Sequence, residues 1–200
     1  MIVEGFTAKL FIPMKQTFKI TTAFFPTPCV LVVSGDMASA NIITIAWAGV
    51  VNSDPPMVGV SLRAQTHSFA LMKKHNSFTV NIPHEGMLRE VDICGVVTGA
   101  DVDKFAYAGL TKVASNKIDT PIIGEAIISL ECKLKQRVEL GSHSLFIGEV
   151  VEIHLDETIL DKDGKVTLEK IKPFVYCPVV HEYRAMGKKL GTYGYTKGKK

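Results

Sequence analysis

The chain has 200 residues, 46% hydrophobic and 22% charged, ordinary values for a globular protein and enough for one domain with a full core. Its net charge of +3 comes from the end: Gly187 to Lys200 hold Lys188, Lys189, Lys197, Lys199 and Lys200 and no acid, and without them the charge turns negative. A body without excess positive charge argues against nucleic-acid binding, and with no run near 18 apolar residues the chain is expected to have no membrane span.

Mean hydropathy is +0.19, somewhat high for a monomer of this size, so an apolar partner interface and a homodimer are expected. Cys29, Cys94, Cys132 and Cys177 are widely spaced, without C-x-x-C or a Cys/His ligand pattern. They read as free thiols in a reducing cytoplasm, with no disulfide framework and no metal. The stretch Met1 to Pro13 lacks the pattern of a signal peptide. One domain over 1–190, followed by a basic tail at 191–200, is expected.

The chain then reads as short strands between turn signals. Pro26 and Pro28 force extended backbone before the β-branched run Val30 to Ser34. Asn41 to Trp47 is a second strand, closed by Ala48-Gly49. Asn52-Ser53-Asp54-Pro55-Pro56 is a loop signal. Met57 to Leu62 and Phe78 to Ile82 follow as strands. Ile128 to Leu140 alternates over thirteen residues: Ile128, Leu130, Cys132, Leu134, Val138 and Leu140 on an inner face that only Gln136 breaks, and Ser129, Glu131, Lys133, Lys135, Arg137 and Glu139 on an outer one. Gly141-Ser142-His143-Ser144 turns the chain, and Leu145 to Leu155 returns as the second arm of a long hairpin. Helices are few: Ser68 to His75, Gly86 to Cys94 ending at Gly95, and a short one opened by Asp101 as N-cap. Strands outnumber helices and do not alternate with them. The expected fold is mainly β, a Greek-key or split barrel with peripheral helices.

No P-loop, Rossmann, zinc-protease or serine-hydrolase motif is present. Cys94 to Gly99 reads as a helix end and turn. What remains is a set of small residues, Ala46, Ala48, Gly49, Gly59 and Ser61, which in strands let a ligand approach the backbone. A tight barrel corner explains them equally well. Next comes Ser61-Leu62-Arg63-Ala64-Gln65-Thr66-His67-Ser68, a strand end running into a helix start. Either Ser68 or Thr66 could cap that helix. A guanidinium, hydroxyls and helix N–H groups in one short segment suit a phosphate, although an ordinary capped helix with a surface arginine fits this segment alone.

These strings, taken in order, resemble the flavin reductase-like FMN-binding split-barrel family, especially its flavoredoxin-like branch. The matching pieces are Pro28 to Ser34, Asn41 to Gly49, Asp54-Pro55-Pro56, Ser61-Leu62-Arg63, Thr66-His67-Ser68, Phe78 to Asn81 with Pro83, Cys94-Gly95, Asp103-Lys104-Phe105, Gly141-Ser142-His143, Ile147 to Val150 and Tyr183-Arg184-x-x-Gly187. The resemblance implies an FMN cofactor. Ala46, Trp47 and Ala48 lie along its ring, with Asn52 beyond them. Ser61, Leu62, Arg63, Thr66, His67 and Ser68 surround the ribityl phosphate, and Lys104 is a second cation. It also implies His143 near the reactive side of the flavin, a homodimer with the flavin near the interface, and electron transfer from NAD(P)H or a protein donor to a flavin, ferric iron or a redox protein. A non-enzymatic electron carrier and a flavin-storage protein remain alternatives, because split barrels carry no nicotinamide fingerprint.

Overall fold

The computed structural model describes residues 14–197. Residues 1–13, on which the signal-peptide reading rests, and Lys199 and Lys200 of the basic tail lie outside them.

Strands β1 (Thr27–Pro28), β2 (Val30–Ser34), β3 (Asn41–Ile45), β4 (Ala48–Ser53) and β5 (Pro56–Arg63) come first, then helix α1 (His67–His75) and β6 (Ser77–Ile82). A helical region, α2 (Leu88–Val96) and α3 (Lys104–Ala108), precedes the short pair β7 (Lys112–Val113) and β8 (Ile122–Ile123). The long hairpin β9 (Ile128–Glu139) and β10 (His143–Leu155), helix α4 (Leu168–Ile171), β11 (Phe174–Cys177) and β12 (Glu182–Ala185) complete the chain. Seven strands form one antiparallel sheet in the order β3-β2-β6-β9-β10-β5-β4. Its two edge strands are consecutive in sequence. The chain passes from one edge to the other at Ala46-Trp47, where Ser61 N–H donates to Trp47 C=O at 2.9 Å. This bend curls the sheet into the split barrel that the sequence predicts.

The alternation of each strand explains what it buries. β2 is buried along its whole length, as a continuous β-branched run should be. Val30 and Val32 join Val60, Leu62, Phe78 and Phe146 in the barrel core, while Leu31 and Val33 pack outward with Val91, Cys94 and Phe105. Cys29, Cys94 and Cys132 are buried free thiols, and burial pushes their pKa values up to about 12, 11 and 12. Gly148 faces a bulge at Lys135 of β9, and a Cβ there would lie 2.6 Å from the Phe78 ring, so the core closes only over a glycine. Among the described residues, no helix is long and apolar enough to cross a membrane.

The structure corrects several expectations. The strand expected over Asn41–Trp47 stops at Ile45, and Asn52 and Ser53 belong to β4 and not to a loop. Gly95 lies inside α2. The cap of α3 is Asp103, whose carboxylate accepts from Phe105 N–H at 2.9 Å and Ala106 N–H at 3.4 Å; Asp101 lies too far upstream to reach them. His143 is not in the turn but opens β10.

The outer face of β9 is not wet throughout. Ser129 and Glu131 are buried because the segment before β8 crosses over them. Glu131 accepts N–H bonds from Asn116 and Lys117, both at 2.7 Å, and meets His154 Nε2 at 2.6 Å. Burial alone would raise the carboxyl pKa, but the Asn116 N–H, His154 and the Lys117 N–H outweigh it and hold it below the usual range.

At the other end, Met14, Phe18, Ile20, Phe24 and Phe25 precede β1 in a stretch without helix or strand, and all five are exposed.

Candidate functional site

The segment from β5 to α1 organises the site. Its outgoing strand alternates Val58, Val60 and Leu62 into the core, so Gly59, Ser61 and Arg63 face outward. Thr66 then opens α1 with extended backbone and makes no side-chain cap bond. Its hydroxyl turns back and donates to Arg63 C=O at 2.9 Å. The helix is fixed instead by Leu71 and Met72 in the core and by Phe69 edge-on to Phe146.

Beside this helix start lies a cleft of about 230 Å³, walled by Asn41 and Ile43 of β3, Gln65 to Ser68, Gly95 to Gly99, and Lys104. Ser68 is buried, and its Oγ accepts from Asn41 Nδ2 at 2.8 Å, which leaves the hydroxyl proton to donate elsewhere. Gly99 makes this wall possible: a Cβ there would stand 2.0 Å from Asn41 Oδ1. Lys104 is 4% exposed, and its Nζ donates to Cys94 C=O at 2.7 Å. Burial pushes its ammonium below the ordinary lysine range, against an opposing effect of Cys94. Among the described residues Lys104 has no carboxylate partner. A buried cation with one carbonyl for company, two N–H bonds to spare and a donor hydroxyl in the same cleft suits an anion.

A second group lies on the outside of the barrel. His143 pairs directly with Arg63 across β10 and β5. Trp47 packs on His143 with ring centroids 4.5 Å apart and planes tilted by 43°. Partial burial, then the Arg63 charge, holds the His143 pKa below its ordinary value. The imidazole is therefore neutral at pH 7 and can accept or donate one hydrogen bond.

Of the residues expected at the site, Thr66, His67, Ser68 and Lys104 meet in the cleft. Trp47, Arg63 and His143 meet on the outer face, and Ser61, adjoining Trp47 through the backbone, belongs with them. Ala46 is in the bend and Ala48 starts β4. Leu62 points into the core, so only its backbone is available. Asn52 stands four residues along β4 from Ala48, about 13 Å at strand rise, and its amide donates to Pro55 C=O at 2.7 Å. It closes a turn away from the other groups. Sequence reasoning missed Asn41 and the loop Val97-Thr98-Gly99. The one available signal was a polar residue opening an apolar strand, and that strand's other partners are distant in sequence.

A profile of the flavin reductase-like domain matches residues 22–184. The chain belongs to the flavin reductase-like family. Among solved structures, this family member superposes on the flavoredoxin of Desulfovibrio vulgaris (Miyazaki F) with a TM-score of 0.86 and 35% identity, over 92% of this chain and 100% of that one. A flavoredoxin from Methanosarcina acetivorans gives a TM-score of 0.82 and 28% identity over 91% and 97% of the two chains. An uncharacterized protein of Pyrococcus abyssi is 37% identical over 145 residues, 72% of this flavin reductase-like chain and 83% of the relative.

Proposed function

We propose that this protein is an FMN-dependent oxidoreductase of the cytoplasm, active as a homodimer, which takes electrons from NAD(P)H or a redox protein and delivers them to a small-molecule or protein acceptor. The observation that carries the reading is Lys104, a buried ammonium with no carboxylate partner among the described residues, in the same cleft as the Ser68 hydroxyl and the first turn of a nine-residue helix. These residues fit the ribityl phosphate: Lys104 and Ser68 donate, and the helix start favours negative charge. FMN bound there would supply a ring able to take up a hydride and release electrons.

The remaining roles belong to the chain. Trp47 and His143 form the tilted aromatic pair on the outer face; they limit water at the ring and orient an incoming nicotinamide. Partial burial, with the Arg63 charge behind it, keeps His143 neutral, so the imidazole adds no positive charge beside the cationic nicotinamide of a product NAD(P)⁺. The name of the flavoredoxin neighbours supports a redox-protein partner.

The test has two arms. Titration of the purified protein should give tighter binding of FMN than of riboflavin, which lacks the phosphate; equal affinities would remove the phosphate seat. Anaerobic mixing with NADH or NADPH should bleach bound FMN. Retained yellow colour with both would exclude the nicotinamide donors and leave the protein donor.

A further inference from the structure

We propose that residues 17–24 form a β-strand only in the dimer, where they pair with the open edge of β4 in a second copy of the chain.

The stretch Thr17-Phe18-Lys19-Ile20-Thr21-Thr22-Ala23-Phe24 is written as a strand. Phe18, Ile20, Thr22 and Phe24 share one face, Lys19, Thr21 and Ala23 the other, and β-branched or aromatic residues fill most positions. Yet no strand among the described residues pairs with it. Its apolar face covers nothing among the described residues: Phe18 is 73% exposed, Ile20 105% and Phe24 84%. A strand-coded segment with both its hydrogen-bonding edges and its apolar face unmatched lacks a partner.

The complementary vacancy lies on the same molecule. The two edges of the main sheet differ: β3 is covered by α2 and α3, whereas among the described residues β4 pairs with β5 alone. The residues of β4 from Gly49 to Ser53 are all exposed, Val50 at 80% and Val51 at 48%. Sheet proteins normally shield such an edge with charge or a covering element. Eight extended residues span about 27 Å and six span about 20 Å, so the segment can run the full length of β4. It leads into β1, which packs beside β4.

A second copy satisfies both vacancies together, because each copy carries one unpaired strand and one open edge. A two-fold arrangement uses both twice and leaves neither over. The apolar side chains of two such segments, with Met14 and Phe25, would remove on the order of 1,500 Å² from water, the size of a standard stable interface. One consequence rests on the flavin reading, although the pairing does not: the exchanged segment would roof the strand that follows Trp47, so each flavin seat would be completed by its partner.

The test is hydrogen exchange and sedimentation of the purified protein, with and without added FMN, alongside Ile20→Asp and Val50→Asp. Both side chains are exposed in the single chain, so neither change should alter the circular dichroism of the barrel. The amides of 17–24 should exchange at least tenfold more slowly in the wild-type dimer than in either variant. Each variant should sediment near 22 kDa at a concentration where the wild type is a dimer. Unprotected amides in a wild-type dimer, or a dimer untouched by both variants, would overturn the pairing. A wild-type monomer would do the same. Failure to bind FMN with the dimer and its protection intact would overturn only the flavin reading.

Discussion

Arg63 and His143 stand directly opposite one another in neighbouring strands, so a fixed positive charge faces a titratable ring. Because His143 is depressed by its partial burial and then by that charge, Arg63→Ala should raise its pKa toward the ordinary histidine value. Burial remains, so the recovery should be partial. A histidine ring NMR titration of both proteins measures it; an unmoved or lower pKa would show that the guanidinium points elsewhere. The sign for stability follows. A histidine depressed in the fold favours the native state above its unfolded pKa and costs stability as pH falls below it. Arg63→Ala should soften that acid-side loss.

Lys104→Met keeps the stem and removes the charge. With Lys104 as a phosphate donor, the FMN dissociation constant should rise about 10- to 100-fold, the loss of a charge-assisted bond of about 1.5–3 kcal/mol. Riboflavin affinity should hardly change. Parallel loss for both flavins would mean that Lys104 shapes the cleft through Cys94 and does not read the anion.

Ser68→Ala removes a hydroxyl from the cleft and leaves the buried Asn41 amide without its acceptor. About 1–3 kcal/mol of stability should be lost, read as a lower urea midpoint, and FMN should bind more weakly. Gly99→Ala reaches the same pair from the other side by forcing Asn41 away from its position 2.0 Å from the new Cβ. FMN binding should fall there although no donor has been deleted. Wild-type affinity in Gly99→Ala would detach Asn41 from the site.

Glu131 predicts a pH effect far from the cleft. Its carboxyl is depressed in the folded state, so its stabilisation is present above the unfolded value near 4.3 and disappears as pH falls through the lower folded value. Glu131→Gln should therefore cost about 1–3 kcal/mol at pH 7, and the gap should close on acidification below pH 4. Urea denaturation at pH 7 and pH 3 tests this. A gap of equal size at both would attribute the cost to packing and not to charge.

How far the sequence could be read depends on what each residue answers to. β2, β5 and β6 follow from their own composition, and the β9–β10 hairpin from its alternation. The cleft wall from Gln65 to Ser68 was legible because its residues are contiguous. Glu131 was not: its place in the alternation is that of a wet residue, and only a loop arriving from 116–117 buries it. Asn41 and Gly99 are 58 positions apart and gain meaning only when β3 packs against the end of α2. β11 and β12 escaped because Phe174 to Ala185 mixes aromatic, cysteine, proline and charged residues without a period. Their pairing is held by tertiary contacts such as Tyr183 OH to Asp92 at 3.0 Å. His143 was displaced by the glycine before it: Gly141 takes the positive φ that the turn requires, and the tighter turn returns the chain to strand two residues later.

The passage at Ala46-Trp47 joins the first and last strands of the sheet through two residues, so it acts as the clasp of a bracelet. Separating β4 from β5 frees one end of the sheet. A flavin seated as proposed, against Trp47 on one side and α1 on the other, would bridge the fastening itself. Occupancy should therefore slow the opening of the barrel more than its binding energy adds to local contacts, and the protein's lifetime against proteases should follow ligand concentration even where its melting temperature moves little.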